Sequence, residues 1–550
     1  MPGDAAPDVI DGASARSGAA LRPHSRPTRR SRLSSAARRL PPALVLILVV
    51  HVLLLLFYTA LFPNYRGPDE PLHVDLIASA ADGDAVPWPA PGTYKTRAGV
   101  GAGGFITNGR IAVRQILPAD QAPARGDRPS YNDAGGTTPG RFPNQLVQHP
   151  PLYYYATAPL LAAVPGWQDQ PLDRLVGLLR LVNVLLLAPL PLLIYYLAIR
   201  VGLVGPTPVA AAGAVLAVPQ LHHIGSAVNN DNLLVLLLAL MSLLVARVAR
   251  GDVRRRTAAT VGLVMGLALL TKGLALFLPL LVGLGYVVAA SRTSLRRVLL
   301  PGALAMTSGF AVGGWWWLRN RLLYGTFQPN GTQLEQAQLT VNTSFGETGV
   351  TWLKMFVKLV NQRFWLEPGI TTLSQALQTA VLSAACVTLL AVLAAPFARE
   401  LRRADAFLLV VPVICLLGIV AFGSWSTWEK VIRPAGMQGR YLYGGLPSLA
   451  VLAAAGAARG LGRRWAPGLP LAVFLAGLVM QTIMIWSVLG AHWLPVGGNT
   501  VHRLGKAGEN MTAWSPWPTA AVVLVTVTLV IAILATAVVM LRELRTTRPA

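Results

Sequence analysis

The chain has 550 residues, 53% of them hydrophobic and only 13% charged, with a mean hydropathy of +0.52. That balance excludes a soluble multidomain protein and fits a polytopic membrane protein. The formal charge of +24 comes almost wholly from arginine; arginine clustered at the ends of apolar runs accounts for it without a nucleic-acid partner. Cys386 and Cys415 both lie inside apolar runs, which supports neither a disulfide framework nor a cysteine metal site.

Residues 1–40 carry eight arginines among Ser, Ala, Pro and Gly, and read as a disordered basic cytoplasmic tail. The run "LPPALVLILVVHVLLLLFYTALF" that follows is long enough to span and has no small-residue cleavage site, so it reads as a retained first helix. With about 20 apolar residues per crossing, spans are predicted near 42–62, 175–198, 207–224, 230–249, 258–272, 274–290, 299–318, 374–396, 405–422, 442–458, 467–489 and 518–541. The pair 258–290 is long for one helix and short for two, and a tight turn at Thr271–Lys272–Gly273 resolves it. The expected fold is thus an all-α polytopic bundle of about 12 transmembrane helices.

Basic residues orient the bundle, because short cytoplasmic loops carry Lys and Arg in excess. With the N-terminus inside, the inward connections hold Arg200, Arg250 with Arg254 to Arg256, Arg292 with Arg296 and Arg297, Arg399 with Arg402 and Arg403, and Arg459 with Arg463 and Arg464. Arg542, Arg545 and Arg548 then fall in a cytoplasmic tail, 542–550, after a membrane domain of 41–541. The long connections 63–174, 319–373, 424–441 and 490–517 fall outside. The first contains "RGDRPSYNDAGGTTPGRFPNQ", expected to be irregular and mobile, and "QHPPLYYYATAPLLAAVPGW", expected to form a helix lying in the interface. No internal repeat of the kind that builds many transporters is visible.

Chemistry concentrates at the outward ends. In "RGPDEPLHVD", Pro68 and Pro71 bracket Asp69 and Glu70, with His73 and Asp75 starting a short helix. A carboxylate there can deprotonate an acceptor hydroxyl, or bind a divalent metal together with its neighbours, and can also merely cap the helix. His149 precedes Tyr153, Tyr154 and Tyr155, which an aromatic belt explains. His222, His223, Asn229, Asn230 and Asp231 sit at a later outer turn, where Asp231 reads first as a helix cap and the histidines match no specific metal pattern. Lys272, Arg319, Arg321 and Arg440 are cations at the outward ends, against the usual bias, and a bound phosphate supplies a reason for them. "GVGAGGF" at 99–105 follows no strand signal and reads as a turn, and no nucleotide-binding loop is present.

Together, "PDEPLH", "HPPLYY", "NNDN", "LTKG", "WWWLRNRLLYG" and "QGRYLYGGLP" resemble the bacterial family of polytopic proteins called domain of unknown function 2142, over about residues 42–460. That family looks like a branch of the GT-C superfamily. The resemblance implies a GT-C-like bundle in the bacterial cytoplasmic (inner) membrane, with N- and C-termini cytoplasmic and the site in the long extracytoplasmic loops. It implies an inverting transfer of a sugar from a polyprenyl-phosphate-linked donor to an extracytoplasmic glycan, protein or lipid acceptor. In that scheme Asp69 is the base, Glu70 assists, Lys272, Arg319 and Arg440 hold the donor phosphate, and His73 and His149 contact substrate. A divalent metal (Mg or Mn) would fall on Asp69, Glu70 and His73, although the acids are adjacent and lack DxD spacing. The alternative function is a transporter, flippase or polymerase for a lipid-linked glycan.

Overall fold

A computed structural model describes residues 40–97, 115–329, 348–367, 373–432 and 434–547. The basic tail, except its last residue, and the stretch 99–105 lie outside the described residues.

Helix α1 (Pro42–Leu61) is a run of 20 residues; at 1.5 Å per residue it extends about 30 Å, the thickness of a bilayer's hydrocarbon layer. Pro42 stands at its first position, where a missing N–H leaves no bond unmade. The first long connection carries α2 (Glu70–Ala81), strands β1 (Lys95–Arg97) and β2 (Pro139–Pro143), and α3 (Leu152–Ala162). The two strands pair antiparallel and are a small exception to the all-α expectation. Then follow α4 (Leu172–Leu187), α5 (Leu190–Arg200), α6 (Thr207–Gly213), α7 (Pro219–Gly225), α8 (Asp231–Ala249), α9 (Arg255–Leu269), α10 (Leu278–Ala290), α11 (Leu295–Gly309) and α12 (Trp315–Tyr324). The rest of the bundle is α13 (Gly349–Trp365), α14 (Gln375–Ala394), α15 (Arg403–Val431), α16 (Leu446–Trp465), α17 (Leu469–His492), α18 (Thr500–Trp514) and α19 (Thr519–Thr547).

Among the described residues, nine stretches are long and apolar enough to cross a membrane. One of them, Gly439–His492, contains both α16 and α17. Gly462, at φ 68°, interrupts the end of α16 before the chain reverses. Two predicted spans are helical but short. Residues 207–224 are split into α6 and α7 by a 3-10 turn and Pro219, and α9 has 15 residues. The predicted turn at Thr271–Gly273 is where α9 gives way to a 3-10 turn, Gly273–Phe277, and then α10.

The first connection is tied down by arginines. Arg97 bonds Asp82 at 2.6 Å and Asp84 at 2.7 Å, and its N–H reaches Asp75 Oδ1 at 3.0 Å. Arg128 pairs with Asp173 and donates to the Ala513 and Ser515 carbonyls at 2.6 and 3.0 Å, so a stretch expected to be mobile is anchored to the end of α18. The expected aromatic belt is also revised. Tyr153 and Tyr154 are fully buried between α2, α3 and Trp88, and only Tyr155 is partly open. The hydroxyls explain the burial: Tyr153 donates to Asn183 Oδ1 at 3.0 Å, and Tyr154 meets His73 Nδ1 at 3.0 Å.

Candidate active site

The end of α1 shows how a membrane span can stop against acids. A helix leaves its last carbonyls without partners, and Arg180 of α4 supplies them here. It donates to Thr59 O and Phe62 O at 2.9 Å each and to Pro63 O at 3.0 Å. The same guanidinium grips Glu70, Nε to Oε1 at 2.8 Å and Nη2 to Oε2 at 2.7 Å. Glu70 Oε1 accepts in addition from the Val228 N–H at 3.0 Å, and Oε2 from the Gly67 N–H at 3.3 Å. Four donors fill the four acceptor sites of a carboxylate. Glu70 and Arg180 are completely enclosed, so this acid joins α1, α4 and the turn before α8 and has no lone pair left for a metal.

Asp69, one residue earlier, is presented differently. Its backbone lies in the left-handed region, φ 57° and ψ 11°, which is uncommon for a residue with a side chain and costs about 1–2 kcal/mol. It stands at the N-cap position of α2, yet its side chain makes no capping bond. Its carboxylate is 33% exposed and accepts from Arg440 Nη2 at 2.6 Å.

Arg440 belongs to the 3-10 segment Gly439–Gly445 and is nearly fully buried. That segment lies flat on α13 because position 439 is a glycine: an added Cβ would stand 2.1 Å from the Phe364 nitrogen. Arg440 Nε is 3.4 Å from Asp231 Oδ2, and Asp231 Oδ1 accepts from Lys272 Nζ at 2.6 Å. Tyr441 lies under both cations, its ring 4.8 Å from Lys272 Nζ and 5.3 Å from the Arg440 guanidinium carbon. The result is an alternating series, Asp69, Arg440, Asp231, Lys272, at the end of the bundle that bears the long connections. Asp231 opens α8 but is not its cap; Asn230 holds that position, again with no side-chain bond to the helix.

Around the series, buried His149 Nδ1 and Asn230 Nδ2 lack a hydrogen-bond partner, and Asp231 Oδ2 and Arg440 Nε meet each other as an ion pair at 3.4 Å without a well-formed hydrogen bond. Buried polar groups are nearly always paired. Their concentration here marks a place with bonding capacity for a polar ligand. His73 and His149 face the same charges. Burial, then Lys272 and Arg440, hold His73 well below the ordinary imidazole range. His149 is lowered by burial, Lys272, His73 and Arg440, with Asp69 opposing. Both rings are therefore neutral at pH 7. Glu367, which follows α13, also feels the cluster: burial raises its carboxyl, Arg363 and Arg440 oppose, and Asp69 adds to the rise. Its own ion pair is with Arg363 at 3.2 Å.

Asp69, Lys272 and Arg440 are thus brought together, with His73 and His149 beside them. Arg319 makes its contacts elsewhere, against Trp316 and Tyr324 at 5.0 and 5.8 Å and with Asn320 at 3.2 Å, and has no ion pair among the described residues. The expected metal set does not form either. Among the described residues no group of three or more His, Cys, Asp or Glu side chains is placed to hold a metal. Glu70 is taken by Arg180, and His73 Nδ1 by Tyr154. His222 is also committed. His51 Nε2 must donate to Leu187 O at 3.0 Å, so His51 Nδ1 accepts from His222 Nε2 at 3.0 Å, and His222 Nδ1 accepts from Gln481 Nε2 at 3.1 Å. His223 stacks on Phe62 with ring centres 3.6 Å apart. Sequence reasoning missed Arg180, Tyr441 and Glu367. Arg180 and Asn183 did carry a signal, as polar residues inside an otherwise apolar span; Glu367 carried none.

The fold and the cluster define a helical membrane protein with buried charges gathered at one end of its bundle. The chain belongs to the family DUF2142, described as predicted membrane proteins, whose model matches residues 51–449. No curated protein matches the sequence. Among solved structures, ArnT from Cupriavidus metallidurans bound to undecaprenyl phosphate is similar at 16% identity and a TM-score of 0.40, covering 86% of this chain and 77% of that one. The Archaeoglobus fulgidus oligosaccharyltransferase AglB, in complex with an inhibitory peptide and a dolichol-phosphate, is similar at 12% identity and a TM-score of 0.40. That match covers 82% of this chain and 56% of AglB.

Proposed function

We propose that this chain is a GT-C-type membrane glycosyltransferase that moves a sugar from a polyprenyl-phosphate-linked donor to an acceptor outside the bacterial cytoplasmic membrane. Both termini are then cytoplasmic, and the end of the bundle bearing the long connections faces out. The observation that carries the reading is the series Asp69, Arg440, Asp231, Lys272, in which an accessible carboxylate is set against two buried cations. In the reaction the acceptor hydroxyl gives its proton to Asp69 while its oxygen bonds to the anomeric carbon. The bond from that carbon to the phosphate oxygen breaks, the electron pair stays on the phosphate, and the configuration inverts. Arg440 offers that phosphate a planar pair of donors and Lys272 a point charge, so both stabilise the leaving group.

The pairing of Asp69 with Arg440 adds a feature to this scheme. A donor phosphate arriving at Arg440 competes with Asp69 for the guanidinium, and the base is released as the donor binds. Neutral His73 and His149 flank the site, and His149 Nδ1 is available to a sugar or acceptor hydroxyl. Glu70 contributes by position, through Arg180. No step runs through a metal.

Transfer of radiolabelled hexose from undecaprenyl-phospho-hexoses by the purified protein tests the proposal. Asp69→Asn is expected to lower transfer by roughly 10²–10⁴-fold while undecaprenyl phosphate still binds. Transfer by this variant at the wild-type rate would remove Asp69 from the mechanism.

A further inference from the structure

A groove of about 580 Å³ lies between α13 and α14, away from the charge series. Leu353 and Val357 form an apolar wall on one side and Val381 and Leu382 on the other, with Asn361, Gln362 and Gln378 also in the lining. Lys354 and Lys358, four residues apart and so on one face of α13, stand in the same lining. Both are exposed, and among the described residues neither has an ion pair and no acidic residue lines the groove. Helix α14 exposes Leu382, Val387, Leu389, Leu390 and Leu393, and only 11% of its apolar window is buried, so the groove opens onto a surface suited to acyl chains.

We infer that this groove is a docking site for an anionic glycerophospholipid, with the phosphate on Lys354 and Lys358 and the upper acyl chains on the apolar walls. Two cations without an ion-pair partner among the described residues line a trough that runs into a lipid-facing helix. A membrane lipid of negative charge matches both halves, whereas a zwitterionic one leaves the lysines uncompensated. The site is separate from the reaction centre. Val360, Arg363 and Phe364 of α13 face the segment that carries Arg440: Gly439 packs on all three, Arg363 donates to the Met437 carbonyl at 3.0 Å and Tyr443 to the Phe364 carbonyl at 2.7 Å. At about 100° per residue, Lys354 and Lys358 stand on the exposed face of α13, whereas Val360 and Phe364 lie on its buried face, so a phosphate on the lysines is not the one proposed for Arg440 and Lys272.

Native mass spectrometry of the full-length protein, loaded with phosphatidylglycerol or phosphatidylcholine, tests this without any assumption about transfer. The wild type should retain phosphatidylglycerol in preference. Each lysine is expected to contribute about fivefold, so the double variant Lys354→Ala/Lys358→Ala loses roughly 25-fold. Lys354→Arg/Lys358→Arg should restore retention, and Leu382→Trp, which fills the trough, should reduce it. Because both lysines are exposed, unfolding midpoints should not move. Equal retention of the two lipids, or unchanged retention in the double alanine variant, overturns the inference. So does displacement of the bound lipid by stoichiometric undecaprenyl phosphate, which would assign the groove to the donor.

Discussion

Asp69 and Glu70 are neighbours in the chain and opposites in the structure. Glu70 is enclosed, with all four acceptor sites filled by Arg180 and two backbone N–H groups. Asp69 is one-third exposed, its carboxylate paired with Arg440 of the 3-10 segment Gly439–Gly445. The left-handed backbone at Asp69 is what separates them, turning one side chain into the protein and the other toward the charge series. The comparison teaches that a pair of acids at the end of a span need not act as a pair. One closes the helix end and fixes the turn; the other is left to do chemistry.

Substitutions on the two sides should therefore fail in different ways. The largest effect is expected from Arg180→Ala, which strands a buried carboxylate and takes a donor from the Thr59 and Phe62 carbonyls at the end of α1. Loss of a buried ion-pair partner costs about 3–5 kcal/mol, to be read as a lowered unfolding midpoint in detergent. Asp69→Asn should leave that midpoint nearly unchanged, and an equal loss in both variants would erase the distinction.

The same fold region should respond to pH. Burial lifts the Asp75 carboxyl from an ordinary value of 3.8 to about 6, against the opposing bonds from the Arg97 N–H and Asn144. The folded state then holds the proton more tightly, so the stability it confers is complete below about pH 4 and is lost as pH rises to about 6, with no further change above. The span corresponds to roughly 3 kcal/mol. Hydrogen exchange at residues 95–97 should accelerate across that window, and Asp75→Ala should abolish the dependence.

Smaller effects belong to the cations. Arg440→Lys keeps the charge and removes the planar fork, and an expected loss of about 1.5–3 kcal/mol in charged hydrogen bonding raises the donor KM by roughly 10–100-fold. Arg319→Ala should change transfer least, because Arg319 packs on Trp316 and Tyr324 away from the series. A loss as large as that of Arg440→Lys would return Arg319 to the site.

The spans were legible because twenty apolar residues in a row have few other uses, and the turn at Lys272 because a charge inside such a run must find an end or a partner. Lys272 and Arg440 could be grouped from sequence, together with Arg319 and Arg321, because cations at outward ends run against the usual bias, whereas Asp69 looks like an ordinary cap and only the family resemblance gave it the role of base. The partner of Glu70 could not, since Arg180 lies 110 residues away and nothing local names the pairing. Nor could the role of Asp231 be read, because a first-turn aspartate has the same appearance whether it caps a helix or bridges two cations. Tyr153 and Tyr154 escape a sequence reading for a similar reason: a belt and a buried hydroxyl network share one composition, and only the packing of α3 on α2 separates them.

The most direct test is the affinity of the purified protein for undecaprenyl phosphate, compared between wild type, Lys272→Ala and Asp69→Asn. If the phosphate and Asp69 share Arg440, Lys272→Ala should weaken binding and Asp69→Asn should strengthen it, since the competing carboxylate is gone. Binding that is unaffected by both substitutions, or weakened by Asp69→Asn, would contradict a phosphate site at Arg440 and Lys272.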